Sequence, residues 1–333
     1  MTKQSEDRRI AVLTALRSSP GGVSGEMLAT ALGVSRVAVR KHVAALHELG
    51  YGIEARPGEG YRLVYIPDAP LPFEIAPLLK TDFYVRLEGG QATGSTNDDA
   101  RALALAGAPE GTVVLASEQR AGRGRLGRAW ASPPGGLYAS IVLRPTAETP
   151  DAIVLPLVVG LGVARGLEKL GAQVRLKWPN DVYGPEGRKL SGILLEGLSE
   201  GWRLAWVVAG VGLNVRCAPE EHHAACLDDL ITDRHPVPVV AASVLDSVAE
   251  TYRTWCAEGF EPLRAAYEER SWLGERLVQV ADAAGRLVAE GRVSGIDGSG
   301  RLVVVTPEGP VSVSAGDVTL QDDPDGRGGP DGA

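Results

Sequence analysis

A segment of alternating glycines and arginines is the part of this sequence best equipped for chemistry. Residues 122–130 read Gly-Arg-Gly-Arg-Leu-Gly-Arg-Ala-Trp. Glycine lets a backbone approach a ligand closely, and arginine offers planar, charged donors that match carboxylate and phosphate oxygens. Tryptophan adds an aromatic face on which a base stacks. The segment predicts a loop that closes over an anionic, nucleotide-like molecule.

The glycines of this segment also match the spacing of a dinucleotide-binding turn, which needs a strand before it and a helix after it. Residues 112–116 are rich in strand formers, so the strand is expected. Residues 131–136 hold two prolines and two glycines, which would break a helix in its first turns. The sequence therefore disfavours a dinucleotide site, whereas a basic surface loop without a ligand stays open as an alternative.

Further polar residues lie in three segments that are separated by turn sequences. Short turns at 184–187 and 200–201 predict strands over 174–183, 188–198 and 202–215. Such turns join antiparallel neighbours, whose side chains lie together. We therefore expect three polar segments to converge, namely Lys-Trp-Pro-Asn-Asp at 177–181, Lys-Leu-Ser-Gly-Ile-Leu-Leu-Glu at 189–196 and Gly-Val-Gly-Leu-Asn at 210–214.

Taken singly, several of these residues also fit roles without chemistry. Residues 95–97 precede a predicted helix over 98–107 and are typical of a helix cap. Lys177 and Lys189 are typical of exposed lysines on a strand or beside a turn, and Asn214 is typical of a strand end. A long apolar helix is predicted over 153–170, with its glycines at close packing contacts.

The first 64 residues predict a DNA-binding module. A short helix from Gly25 to Leu32, a glycine turn and a basic helix capped by Ser35 form the helix-turn-helix order. A hairpin over 51–64 predicts the wing of a winged helix, and a small protein-docking domain is the alternative. The module carries nine basic and six acidic residues in a chain of net charge −8. This basic module on an acidic body favours DNA contacts, with candidates Ser35, Arg36, Val37, Arg40, Lys41 and Arg56.

The predicted organisation is a DNA-binding domain over 1–64, a proline-containing linker over 65–79, a central domain over 80–270, a small β-barrel over 271–321 and a disordered tail over 322–333. Three cysteines without CxxC spacing predict neither a disulfide framework nor a zinc site, and indicate buried, reduced thiols. The N-terminus is too charged for a signal peptide, and no apolar stretch reaches the ~20 residues of a membrane span. We expect a cytoplasmic protein.

The segments 122–130, 177–181 and 189–196 together resemble the motifs of bifunctional biotin–protein ligases and biotin operon repressors, and the resemblance covers roughly residues 5–320. It implies an α+β protein with an N-terminal winged helix-turn-helix, a central mixed α/β catalytic domain of the class II synthetase type and a C-terminal SH3-like β-barrel. The family activates biotin with ATP and Mg²⁺ as biotinyl-5′-AMP. It then transfers biotin to one lysine of the biotin carboxyl carrier protein of acetyl-CoA carboxylase.

The resemblance also implies repression of biotin genes, with biotinyl-5′-AMP as corepressor and an adenylate-bound homodimer on operator DNA. For catalysis it implies Arg125, Lys177, Asp181 and Lys189. For biotin binding it implies Ser95, Thr96, Asn97, Gln119, Arg123, Gly124, Arg125, Lys189 and Gly192. For ATP and the adenylate it implies Arg123, Arg125, Arg128, Trp130, Asn180, Gly210, Gly212 and Asn214. It implies no protein ligand for a resident metal.

This chemistry suits the residue types. Activation brings a carboxylate against a triphosphate, so cations must offset the repulsion between two anions. A loop that orders over the hydrolysable adenylate would exclude water. Asp181 is expected to orient Lys177 or Arg125, or to accept a proton from the acceptor lysine. A lipoate- or octanoate-type ligase and a non-enzymatic ligand-sensing regulator stay open as alternatives, and Leu126 departs from the polar residue common in relatives.

Overall fold

The computed structural model describes residues 3–146, 153–200, 203–219 and 223–321. Its N-terminal part contains a first helix, followed by the predicted pair of helices and the predicted hairpin. Ser24 and Ser35 accept the capping hydrogen bonds from Met27 N and Ala38 N, which sets the start of the second and third helices. The elements are α1 Lys3–Ser18, α2 Gly25–Leu32, α3 Arg36–Glu48, β1 Gly52–Arg56 and β2 Gly60–Tyr65.

The segment predicted as a linker is packed between two cores. It contains the short helix α4 Pro72–Ile75. Leu71 is fully buried in the N-terminal core and Ile75 is fully buried in the central core. Glu74 accepts hydrogen bonds from Tyr51 and Arg17. Two buried apolar side chains four residues apart thus fix a segment whose prolines alone indicated a spacer.

A mixed sheet forms the central part, and seven strands belong to it within the described ranges, in the order β3-β4-β5-β9-β8-β7-β6. β3 runs parallel to β4, and the other neighbours are antiparallel. The strands are β3 Arg86–Thr93, β4 Thr112–Gln119, β5 Leu137–Leu143, β6 Arg175–Lys177, β7 Asp181–Tyr183, β8 Lys189–Glu200 and β9 Arg203–Leu213. The helices are α5 Thr96–Leu105, α6 Leu155–Glu168, α7 Val237–Glu258 and α8 Glu261–Glu269.

The apolar helix predicted over 153–170 is α6, and it packs directly against α7. A Cβ atom added to Gly162 would lie 2.6 Å from the Cα of Val248, and one added to Gly166 would lie 2.7 Å from the Cα of Val244. The prediction of close packing is confirmed at Gly162, whereas Gly160 leaves ordinary contact distances. The buried helix pair supports the sheet from one side.

The prediction of one strand over 174–183 is wrong. The chain reverses over residues 178–180, so that β6 and β7 pair antiparallel and Lys177 lies opposite Asp181. The Trp178–Pro179 peptide bond is cis. Proline lacks the N–H that a strand ladder requires, and the turn places both charged side chains on one edge of the sheet.

A second sheet forms the C-terminal part, with five antiparallel strands in the described chain, in the order β13-β12-β11-β10-β14. Trp178 Nε1 donates to Gly300 O at 3.0 Å and joins this sheet to the central one. The strands are β10 Leu277–Ala281, β11 Leu287–Ile296, β12 Leu302–Thr306, β13 Gly309–Val313 and β14 Asp317–Leu320.

Some predictions concern residues outside these elements. The predicted tail 322–333 and the predicted turn residue Gly201 lie outside the described residues. The three cysteines are free thiols, but only Cys226 is buried, so the expectation of buried thiols is wrong for Cys217 and Cys256. Within the described residues, no helix has the length and apolar character to cross a membrane.

Candidate active site

A cavity of about 650 Å³ lies over the central sheet. Its lining draws on the first turn of α5, the glycine-arginine loop, the β6–β7 turn and strands β8 and β9. The structure brings to it every residue that the sequence suggested for catalysis, biotin and ATP. These are Ser95, Thr96, Asn97, Gln119, Arg123, Gly124, Arg125, Arg128, Trp130, Lys177, Asn180, Asp181, Lys189, Gly192, Gly210, Gly212 and Asn214. Their individual roles stay predictions.

One end of the cavity is neutral, polar and buried. Gln119 Oε1 accepts from Thr96 N at 2.8 Å and lies 3.0 Å from Thr96 Oγ1. Ser140 Oγ lies 2.8 Å from Thr96 Oγ1 and 2.6 Å from Asn97 Oδ1. This end can therefore offer oriented donors and acceptors to a small polar ligand without offering it a charge.

The helix-cap interpretation of residues 95–97 is wrong in its details. Helix α5 begins at Thr96, and the side chain of Ser95 makes no capping hydrogen bond. Thr96 and Asn97 therefore belong to the first turn, where both are buried at 3% and 5% exposure. Buried polar side chains need partners, and the network around Gln119 and Ser140 supplies them.

Three glycines expected to contact the ligands, Gly192, Gly210 and Gly212, leave space that side chains of the protein occupy. A Cβ atom on Gly210 would lie 2.1 Å from Asn97 Oδ1. A Cβ atom on Gly212 would lie 2.5 Å from Trp130 Nε1, and one on Gly192 would lie 3.1 Å from Trp130 Cζ3. Gly192 and Gly212 are paired across β8 and β9, and together they form a flat floor beneath the indole ring.

The glycine-arginine loop folds back on itself. Trp130 N donates to Gly122 O at 2.9 Å, and Gly124 N donates to Arg128 O at 2.7 Å. Leu126 sits at the tip with a φ of 57° and is 55% exposed. Positive φ at a leucine costs conformational energy, and the bonds at the base of the loop hold the tip in place.

Each arginine of the loop has a partner. Arg123 donates two hydrogen bonds to Asp98 at 2.6 and 2.7 Å and lowers the pKa of that carboxyl group. Arg125 Nη1 donates to Asn180 Oδ1 at 3.0 Å. Arg128 Nη2 lies 2.6 Å from an oxygen of Asp317 in the C-terminal sheet. The cations thus line the cavity in fixed positions suited to a carboxylate or phosphate.

Asp181, which was expected to orient Lys177 or Arg125, forms its ion pair with Lys189. Asp181 Oδ1 lies 2.7 Å from Lys189 Nζ. Lys189 Nζ also lies 5.3 Å from the centre of the Trp130 ring, within cation–π range. The pairing puts one ammonium and one carboxylate side by side beneath the loop.

Lys177 occupies a more buried position in the same turn. Its Nζ donates to Tyr183 Oη at 3.3 Å. Burial lowers the pKa of Lys177, with Asp181 opposing that effect. Burial and the nearby Asp181 charge raise the pKa of Tyr183 to about 12. The fold therefore keeps a cation here that the surroundings disfavour, which is typical of a functional position.

We expect the Lys177→Met variant to unfold at a higher temperature than the native protein at about pH 7, by roughly 1–3 °C. A lysine whose pKa is lower in the folded than in the unfolded protein weakens the fold while it is charged. That cost disappears as the pH rises through the lowered pKa towards the ordinary 10.5. Thermal unfolding followed by circular dichroism at about pH 7 and about pH 10 checks both points.

The matched control for this comparison is the Lys80→Met variant, because Lys80 is exposed. We expect no pH-dependent difference between it and the native protein. A lower unfolding temperature for Lys177→Met at about pH 7 would contradict the argument, since the cation would then be net stabilising.

Sequence reasoning missed several residues that organise this site. Asp98 and Glu196 contact Arg123, Ser140 bridges Thr96 and Asn97, and Asp317 holds Arg128. Glu196 is the last residue of the polar segment 189–196 that the sequence analysis singled out, so its position could have been used to predict a role in the site. Asp317 lies 189 residues from Arg128, and no local pattern points to it.

No group of three or more His, Cys, Asp or Glu side chains able to hold a metal ion occurs in the described ranges. The donor set around the loop is instead cationic. Magnesium bound to a triphosphate keeps waters and phosphate oxygens and needs only one or two protein carboxylates. Asp181 and Asp317 both line the cavity, and this donor chemistry fits a Mg²⁺ that arrives with its nucleotide.

The candidate DNA contacts lie on the N-terminal module. Arg36, Val37, Arg40 and Lys41 are exposed on α3, while His42 faces the module's core. Ser35 caps the helix, so its hydroxyl is engaged with Ala38 N at 3.2 Å. Arg56 is exposed on the hairpin and lies 2.8 Å from Glu54.

Three family models match successive parts of the chain. The HTH domain model matches residues 8–62, the biotin/lipoate A/B protein ligase family model matches residues 89–214, and the biotin protein ligase C-terminal domain model matches residues 275–320. The order of the matches follows the order of the structural elements described above.

Individual proteins match over longer stretches. The chain is 33% identical over 307 residues to the bifunctional ligase/repressor BirA of Bacillus subtilis, covering 90% of this chain and 94% of the relative. It is 36% identical over 246 residues to the biotin–[acetyl-CoA-carboxylase] ligase of Paracoccus denitrificans, covering 68% of this chain and 97% of the relative. The solved structure of biotin protein ligase from Aquifex aeolicus in complex with biotin and ATP is 30% identical. It superimposes with a TM-score of 0.63, covering 72% of this chain and 100% of that one.

Proposed function

This chain belongs to the family of bifunctional biotin–protein ligases and repressors, and from that premise we propose that its cavity makes biotinyl-5′-AMP from biotin and ATP. The enzyme then transfers biotin to a lysine of the biotin carboxyl carrier protein. The observation that carries the proposal is the division of the cavity. A buried neutral end holds oriented hydrogen-bonding groups, and a cationic end holds three arginines, two lysines and a tryptophan.

We assign the neutral end to the ureido ring of biotin, with Ser95, Thr96, Asn97 and Gln119 as its partners. Biotin's carboxylate then extends under the loop towards Arg123 and Arg125. Because Gly124 and Gly192 have no side chains, the backbone at these positions can lie close to the acyl chain. An octanoyl chain or the dithiolane ring of a lipoyl group has no amide-like head to satisfy buried partners of this kind, and leaving them unpaired costs binding energy. Biotin is therefore favoured over lipoate.

We assign the cationic end to the nucleotide. Trp130 contributes an aromatic face for adenine, while Arg128, Asn180, Gly210, Gly212 and Asn214 complete the ATP region. In the first step the biotin carboxylate attacks the α-phosphorus of ATP and pyrophosphate leaves. Mg²⁺, when bound, offsets charge on the phosphates. Arg125 and Lys189 stabilise negative charge that develops on the phosphorus oxygens, and the folded-back loop excludes water.

In the second step the amine of the acceptor lysine attacks the acyl carbon of the adenylate, and AMP leaves. Both steps depend mainly on holding two reactants in register and on fixed charges. Lys177 and Asp181 stand at the β6–β7 turn beside Lys189, and we assign them to this transfer. The acceptor amine must lose a proton, which Asp181 can accept.

The test is a two-part assay with ATP, Mg²⁺, biotin and a biotin acceptor domain. We expect pyrophosphate release and label in the acceptor. Pyrophosphate release without labelled acceptor would support adenylate formation and contradict the proposed transfer. No product with biotin, but product with lipoate, would reassign the substrate.

We also propose that the N-terminal module is a winged helix-turn-helix, with the β1–β2 hairpin as its wing. It would bind operator DNA as a homodimer whose assembly depends on the adenylate, in the cytoplasm where ATP and the acceptor occur. Support comes from the exposed basic side chains of α3 and from the net positive charge of the module. The C-terminal sheet is proposed to be an SH3-like barrel, supported by its five short antiparallel strands in the described residues.

We expect the Arg40→Ala variant to bind DNA about 5- to 100-fold more weakly, the range for losing one arginine contact, while its ligase activity stays at the native level. The DNA is a fragment that the native protein selects in the presence of biotinyl-5′-AMP, and the measurement is a gel shift at fixed salt. Arg286→Ala, which removes an exposed arginine from the turn between β10 and β11, is the matched control. Equal weakening by both variants would contradict a specific role for α3.

A further inference from the structure

A carboxylate stands behind the polar end of the cavity. Glu196 lies on β8, on the same face as Gly192 and Leu194, because alternate residues of a strand share a face. Gly192 and Leu194 line the cavity, whereas Glu196 is absent from the described residues that line it. Its side chain is 29% exposed and contacts Asn97 and Arg123. Its contacts with the cavity wall run through those two side chains.

The charge of Glu196 determines which way round the Asn97 amide lies. An ionised carboxylate only accepts hydrogen bonds, so the atom 2.8 Å from Glu196 Oε2 must be Asn97 Nδ2. Asn97 Oδ1 consequently faces Ser140 Oγ at 2.6 Å and accepts its proton. Asn97 is also confined by Gly210, where a Cβ would lie 2.1 Å from Oδ1.

The orientation of Asn97 also decides which atoms donate and accept hydrogen bonds at Thr96, the first residue of α5. Ser140 has one hydroxyl proton and donates it to Asn97, so at 2.8 Å it accepts the single hydroxyl proton of Thr96, and Gln119 Oε1 is then hydrogen-bonded by Thr96 N. A buried chain of this kind has one consistent set of proton positions only while its end is fixed. Glu196 fixes that end with a charge.

Glu196 also shares Arg123 with Asp98. Arg123 Nη2 lies 3.3 and 3.4 Å from the two oxygens of Glu196. Asp98 and Glu196 both raise the pKa of Arg123, with Asp98 contributing most. Of the two carboxylates, Asp98 forms the bidentate pair with Arg123. The contact that distinguishes Glu196 is therefore the one to Asn97.

We propose that Glu196 is a positioning residue that makes the site selective for the ureido ring of biotin. Without touching the substrate, its carboxylate fixes the Asn97 amide with one N–H engaged and leaves the second N–H for the ligand. The cavity then presents a single pattern of donors and acceptors. The inference rests on the proposed function, because biotin is the ligand that reads this pattern.

The test is the Glu196→Gln variant of the full chain, with binding measured by titration calorimetry. A carboxamide has nearly the same shape but can present either an acceptor or a donor, so it no longer dictates the orientation of Asn97. We expect the Kd for biotin to rise roughly 10- to 100-fold, as for a lost hydrogen bond to a charged group. The Kd for ATP should change less than about twofold, and the preference for biotin over lipoate should fall by the same factor as biotin affinity.

Asp98→Asn is the matched control, since it takes a carboxylate from Arg123 and leaves the contact between Glu196 and Asn97 intact. We expect its Kd for biotin to rise less than about threefold. Equal losses in the two variants would show that Arg123 carries the effect and overturn the proposal.

Two further results would also overturn it. Unchanged biotin affinity in Glu196→Gln is one. The other is equal weakening of biotin and ATP binding, which would indicate a general loss of structure. Native protein that binds no biotin would instead overturn the proposed function, and this inference with it.

Discussion

The Lys189→Met variant is expected to form biotinyl-5′-AMP about 100- to 1,000-fold more slowly than the native enzyme, the loss typical of removing one fixed electrostatic donor. Lys189 reaches the cavity from the first residue of β8. Its ammonium lies 2.7 Å from Asp181 and 5.3 Å from the centre of the Trp130 ring. Methionine keeps the unbranched stem and removes the charge. The cavity then lacks a cation where two anions must meet.

Pyrophosphate release at saturating biotin and ATP measures this effect. Lys80→Met is the control, because Lys80 is exposed and does not belong to the residues that line the cavity. We expect the control to retain the native rate. A rate for Lys189→Met within about fivefold of the native enzyme would mean that the arginines alone supply the charge stabilisation.

Transfer from preformed adenylate separates the two steps in the same variant. If Lys189 acts mainly on the phosphorus oxygens during activation, its loss should slow transfer less than it slows activation. An equal loss of rate in both steps would instead indicate that Lys189 holds the adenylate in its reactive position. The comparison thus assigns the charge to a step of the reaction.

Local sequence patterns were enough to predict the parts of the site that arise from turns and strands. The turn sequences between the polar segments predicted that β8 and β9 pair, and Gly192 indeed lies opposite Gly212. The Ser35 cap and the glycine turn before it likewise set the start of α3. These predictions succeeded because capping and turn formation depend on residues only a few positions apart.

The β6–β7 turn shows where the pattern was available but misinterpreted. Alternating residues around Lys177 resemble one strand, and the interpretation gave too little weight to Pro179. A proline inside a predicted strand argues against a continuous ladder. The reversal at that point is what sets Lys177 and Asp181 opposite each other, so the error concealed the main geometric relation between two candidate residues.

Other contacts had no local signal. Arg128 meets Asp317, Arg216 meets Asp68, and Glu74 meets Tyr51. Each pair joins residues far apart in the chain, and a charged residue in an exposed segment has many possible partners. Asp68 also accepts from Val237 N at 2.6 Å and so caps α7, which a proline-rich segment gives no reason to expect. Tertiary packing decides such pairs.

The Asp181→Ala variant is expected to transfer biotin from preformed adenylate at least about 100-fold more slowly than the native enzyme, as for loss of a general base. The acceptor lysine is protonated near neutral pH and cannot attack the acyl carbon in that form. Asp181 is the carboxylate at the β6–β7 turn, 17% exposed and beside Lys189. The adenylate phosphate competes with it for the Lys189 ammonium, and a carboxylate released from that pair can accept the proton.

The pH dependence distinguishes a base from an orienting group. Without Asp181, only acceptor molecules that are already neutral react, so the rate of the variant should rise about tenfold per pH unit below the lysine pKa of about 10.4. The native rate should rise less steeply, because Asp181 removes the proton within the complex. Asp181→Asn should behave like Asp181→Ala if proton transfer is the role. Recovery of native transfer with asparagine, or an unchanged rate in the alanine variant, would leave Asp181 as no more than a partner that holds Lys189.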